Sequence, residues 1–152
     1  MEKNLLGFKA GIAASVTAIS AFLGWKGILG LCWLAAMALD YVSGTAAACR
    51  AGAWSSKIAR EGLWHKCGMI FAVAVAGIAD VIMALLMGNI PGLGIRWPGL
   101  TLPLVLAWYI LTELGSILEN AHKMGAAVPP WLTKLLKASR EAVDSGSRKE
   151  EA

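Results

Sequence analysis

The chain has 152 residues, of which 57% are hydrophobic and 16% charged, with a formal net charge of +4. A soluble domain carries about 25% charged residues, so the polar surface is too small to coat a water-soluble globule. The excess of Lys and Arg does not point to nucleic acid, because it flanks apolar segments instead of forming a basic face interleaved with aromatics.

Between the charge clusters run stretches of about 20 mostly apolar residues, the length that crosses a hydrocarbon core of about 30 Å as a helix. The pattern predicts an all-α membrane protein with about four transmembrane helices. The alternative is three spans plus an N-terminal helix lying on the surface. The first span is expected at Leu5–Gly24. It is preceded by Lys3 and lacks a cleavage site followed by a soluble domain, so it reads as a retained helix and not a signal peptide. The run GWKG at 24–27 separates it from a second span at Gly27–Cys49.

The segment 50–66 predicts a short amphipathic helix at the membrane surface. Ser55 or Ser56 caps it, and Ile58, Leu63, Trp64 and Cys67 alternate with Lys57, Arg60, Glu61 and Lys66. A third span follows at Cys67–Gly88. The loop 89–99 is rich in Pro and Gly, and Trp25 and Trp97 fit the headgroup level. The fourth span covers Leu100–Asn120. Beyond Gly125, Pro129 and Pro130 open a second amphipathic helix carrying Trp131, Leu132, Leu135 and Leu136. Residues 1–137 therefore form one helical transmembrane domain, and 138–152 a polar, disordered cytoplasmic tail.

Placing both termini and the middle loop in the cytoplasm puts 12 of the 14 Lys and Arg residues there, as the positive-inside rule requires. Cys32, Cys49 and Cys67 are too few and too scattered for a disulfide framework. The pair His65 and Cys67 has no partners at zinc-ligand spacing, so neither metal nor cofactor is expected. No Ser/His/Asp set or phosphate loop supports an enzyme.

Four acids interrupt the apolar spans: Asp40, Asp80, Glu113 and Glu119. An Asp at a helix centre costs roughly 2.5–3.5 kcal/mol on insertion, so these side chains are expected to turn away from lipid. In steps of four, Asp40 shares a face with Ala36, Gly44 and Ala48. Asp80 shares one with Gly68, Ala72, Ala76, Ala84 and Gly88. Such small-residue stripes suit close helix packing, within one chain or between copies. In the fourth span Tyr109, Thr112, Glu113, Ser116, Glu119, Asn120 and Lys123 form a polar seam. With Lys and Arg confined to the span ends, the acids are expected to be neutral, hydrogen-bonded or hydrated. Intramembrane acids of this kind also suit a small ion- or proton-conducting channel or transporter.

Two stretches resemble a phage holin family. In the first, Asp40, Ser43, Gly44, Ser55, Ser56, Lys57, Gly62, Lys66 and Asp80 match a D-x-x-[ST]-G element, a Ser-Ser-Lys, a Gly, a Lys and a second Asp. In the second, Glu113, Ser116, Glu119, Asn120, Gly125, Pro129 and Leu132 match the family's C-terminal element. The resemblance covers about positions 30–137. It implies a protein that self-associates in the host cytoplasmic membrane and opens lesions for an endolysin, with an antiholin as a possible partner. The family also includes holin-like proteins linked to toxin release.

Overall fold

The computed structural model describes the backbone of residues 2–91 and 94–148, and the side chains of 24–91 and 94–144. Helix α1 spans Glu2–Arg50, α2 Ser56–Asn89, α3 Thr101–Lys123 and α4 Pro130–Arg148; no strand occurs among the described residues. Three helical stretches among the described residues are long and apolar enough to cross a membrane: Gly24–Arg50, Ser56–Asn89 and Thr101–Lys123. The span expected at Leu5–Gly24 falls in the first arm of α1, whose side chains before position 24 lie outside the described residues.

Gly24 divides α1. Its φ of 63° and ψ of −175° are not helical, and that left-handed φ is open to glycine because it has no Cβ to clash. The GWKG run thus marks a change of direction, as its glycines suggest. Helix α2 begins where Ser55 caps it, its Oγ accepting from the Lys57 N–H at 3.3 Å. It then continues for 34 residues without interruption. The amphipathic stretch at 56–66 and the apolar stretch after Cys67 are therefore one rod, not a surface helix turning into a span. Nothing in the sequence breaks it, since Gly62 and Gly68 cost helix stability without forcing a bend. Helix α4 likewise runs to Arg148, through much of the stretch read from composition as an unstructured tail.

Helices α1 and α3 end alike. Ala53 N–H bonds Ala48 O and Gly52 N–H bonds Cys49 O; Ala126 N–H bonds Ala121 O and Gly125 N–H bonds His122 O. Each is a Schellman closure with a left-handed glycine just past the helix. The two ends are tied together, because the Arg50 guanidinium donates to Met124 O and lies against Gly125.

Helix α3 packs against each of the other three, while α1 and α2 barely meet. The core is Trp33 and Met37 of α1, Met69 of α2 and Leu106 of α3. The Trp33 and Tyr109 rings stack at 6.3 Å between centroids. Much of the remaining apolar surface is uncovered, including Leu34 and Val42 on α1 and Phe71, Val75, Ile78, Val81 and Leu85 on α2. That surface suits the exterior of a body solvated by hydrocarbon.

Candidate polar sites between the helices

Three of the sequence-marked polar residues converge where α1, α2 and α3 approach one another. Lys66 Nζ lies 2.9 Å from Asp40 Oδ2 and 2.6 Å from Glu113 Oε2. All three side chains are largely withdrawn from the surface, that of Glu113 most of all at 5% exposed. The Asn120 amide donates to Asp40 Oδ1 at 3.3 Å and to Ser43 Oγ at 3.1 Å, and Ser43 Oγ donates to Asp40 O. One ammonium therefore bridges carboxylates from two other helices. This corrects the expectation that Lys and Arg stay at the span ends and leave the acids few cations to pair with. Lys66 does so because α2 starts well before its apolar stretch, which carries Lys66 into the rod and not to its end.

Beside this network is a cavity of about 300 Å³, lined by Tyr41, Thr45 and Ala48 of α1, Trp54 and Ser55 of the loop, Gly62 and His65 of α2, and Thr112 and Ser116 of α3. Of the loop motif, Ser55, Gly62 and Lys66 thus border one cavity. Ser56 and Lys57 form the first turn of α2. Gly44 faces the same place, where an added Cβ would stand 3.4 Å from the Asn120 amide.

Asp80 does something different. Its Oδ1 accepts from Trp97 Nε1 and the Thr101 N–H, and its Oδ2 from the Leu102 N–H, each at 3.0 Å. Leu100 at the N-cap of α3 has no side-chain cap of its own. A carboxylate on α2 thus satisfies two orphan donors at the start of α3, where the helix dipole also favours an anion. Lys26 Nζ reaches Gly99 O at 2.6 Å alongside. Trp97, placed by its residue type at the headgroup level, is turned inward onto Asp80, whereas Trp25 is 58% exposed. The sequence signal for this contact was an Asp in α2 facing a loop that leads into a helix lacking a Ser, Thr, Asp or Asn cap.

The small-residue stripes divide. Ala36 and Ala76 are buried, Ala48 and Ala72 half-buried, and Gly68, Ala84 and Gly88 exposed. An added Cβ at Gly68 or Gly88 meets nothing within 4 Å. Steps of four overshoot a 3.6-residue turn by about 40° each, so a long stripe at that spacing winds off the contact face. The residues that stay inward on α2 are instead Lys66, Met69, Val73, Ala76, Asp80, Met83 and Met87, alternating steps of three and four.

The polar seam of α3 divides too. Glu113 and Asn120 are buried toward α1 and α2, and Tyr109 packs on the core. Thr112, Ser116, Glu119 and Lys123 line a second, open cleft of about 800 Å³, bordered on its other side by Thr133, Leu136, Lys137 and Arg140 of α4. Glu119 is exposed there.

The model of the bacteriophage holin family matches residues 17–141. The chain is also 30% identical over 132 residues to an uncharacterised protein of Halalkalibacterium halodurans, covering 87% of this chain and 91% of that one. It is 33% identical over 97 residues to uncharacterised proteins of Listeria monocytogenes and Listeria innocua, covering 64% of this chain and 61% of each of those. No solved structure matches.

Proposed function

The chain belongs to the bacteriophage holin family, and we propose that it self-associates in the bacterial cytoplasmic membrane and opens lesions through which an endolysin, or a toxin, crosses. The observation that carries this reading is the apolar surface left uncovered on three span-length helices, with only 17% of each apolar window buried within one chain. Within the bilayer that surface meets lipid or another copy. The exposed small residues Gly68, Ala84 and Gly88 suit close approach of a second helix. In this reading the end of the bundle bearing Arg50, Lys57, Arg60 and Lys123 faces the cytoplasm, and both termini join it there when the first arm of α1 crosses the membrane and α4 leaves α3. Partners are the bilayer, further copies of the chain, an endolysin and, where one is encoded, an antiholin.

Induced expression in bacteria tests it. Membrane integrity is expected to fail abruptly, with lysis following only when an endolysin is coexpressed. Normal growth at high expression overturns the proposal. A second reading, a small ion- or proton-conducting channel, is favoured by the cavity beside Asp40, Lys66 and Glu113. Steady, selective flux without killing distinguishes it.

A further inference from the structure

Helix α4 has a wider apolar face than α3 covers. Leu132, Leu136, Ser139 and Val143 are half-buried, at the spacing of one helix face. Trp131 and Leu135, a step around the same helix, are 63% and 53% exposed. Between positions 130 and 140 stand Lys134, Lys137 and Arg140 and no acidic residue.

The docked position of α4 is also unusual. It starts seven residues past the end of α3 and folds back along it, so that the Arg140 guanidinium lies 4.6 Å from the centre of the Trp108 ring. Trp108 is 15 positions, about 22 Å, from the Lys123 end of α3. Docking therefore carries three basic side chains alongside a membrane-spanning helix, at a depth where lipid is a poor environment for charge. Laid flat at the Lys123 end instead, the same helix sinks Trp131, Leu132, Leu135 and Leu136 into the acyl boundary and leaves its basic residues among headgroups.

We propose that α4 is a binding surface for the anionic membrane face at the Lys123 end of α3, and that this surface competes with α3 for the same helix. Seating α4 on the leaflet uncovers Thr112 and Ser116 of α3, which docking half-buries. The proposal rests on α1 to α3 crossing the membrane and not on lesion formation. Each basic residue near an anionic surface strengthens binding about fivefold, so Lys134 and Lys137 together shift the balance by more than tenfold.

The test uses the full chain with Cys32, Cys49 and Cys67 replaced by Ser and spin labels placed through Leu104→Cys and Glu141→Cys. It is reconstituted in phosphatidylcholine vesicles with and without abundant phosphatidylglycerol. Docking holds the labels close, within a turn of the Trp108–Arg140 contact. Seating on the leaflet separates them by more than about 28 Å, the length of α3 from 104 to 123. The long distance is expected to dominate in phosphatidylglycerol. The Lys134→Gln, Lys137→Gln variant should restore the short one more than tenfold, while Lys134→Arg, Lys137→Arg should not. The same distances in both lipids, or no response to the Gln pair, overturn the proposal. Dye leakage from the same vesicles reads lesion formation separately: lipid-dependent distances without leakage would sink the lesion reading and leave this one standing.

Discussion

Lys66 supplies one positive charge to two carboxylates, and that inequality sets what each substitution does. Removing the ammonium as Lys66→Met leaves Asp40 and Glu113 side by side without their counter-charge, a loss of up to about 3–5 kcal/mol for a buried ion-pair network. The companion Asp40→Asn, Glu113→Gln changes remove the charges that Lys66 was holding, and the triple variant is expected to recover most of that stability. Reversible unfolding in micelles checks both; equal stability of the single and triple variants would show that the network does not hold the helices. Asp80 answers to a different logic, because it accepts from the backbone of α3. Asp80→Ala strands two amides at that helix start and is expected to cost about 1–2 kcal/mol, the value of a good N-cap. Amide exchange should rise roughly tenfold at Thr101 and Leu102, with Asp80→Asn intermediate. Unchanged exchange at those two amides would count against the capping role.

The meeting of the three helices can be traced to an equality of lengths. Asp40 stands ten positions before Arg50, Lys66 ten after Ser56, and Glu113 ten before Lys123. Since the three ends lie together, all three side chains come to one level, about 15 Å along their helices. Those boundaries were half legible. The Gly125 stop and the Ser55 cap are visible as residue types, and the span-length apolar runs match the three described spans. What concealed the Lys66 contact was a start for the third span set by hydropathy at Cys67, when the helix begins eleven residues earlier. Hydropathy reports where lipid begins, whereas capping reports where the helix begins. Each stripe divides between inward and outward faces for a geometric reason, the drift of a four-residue step, and a seven-residue repeat of Leu106, Glu113 and Asn120 marks the inward face of α3. This separates the glycines. Gly44→Ile should crowd the Asn120 amide and lower the stability of the single chain. Gly68→Ile and Gly88→Ile meet open space and should leave single-chain stability unchanged while altering assembly size in membranes. A loss of monomer stability from the last two would place them inside the packed bundle instead.

At the scale of the molecule, α2 is the described span with the most uncovered large apolar side chains. Its inward side touches α3, it barely meets α1, and Phe71, Val75, Ile78, Val81 and Leu85 stand out from it at exposures from 59% to 72%. Lipid tails solvate such a face as well as another helix does, so apolarity alone supplies no force for association; close fit does. The exposed small residues Gly68, Ala84 and Gly88 on the same helix provide room for that fit. Association through α2 therefore predicts that single cysteines at Val75 or Ile78, in a chain with Cys32, Cys49 and Cys67 replaced by Ser, cross-link copies in the membrane with increasing yield as the protein accumulates. Cysteines at Leu34 or Leu39 on α1 should cross-link less at the same expression level. Adding bulk through Ala84→Phe should delay lysis and reduce the Val75 cross-link together, with membrane insertion unchanged. If α1 positions cross-link first, the assembling face is α1, and the uncovered side of α2 is simply its lipid side.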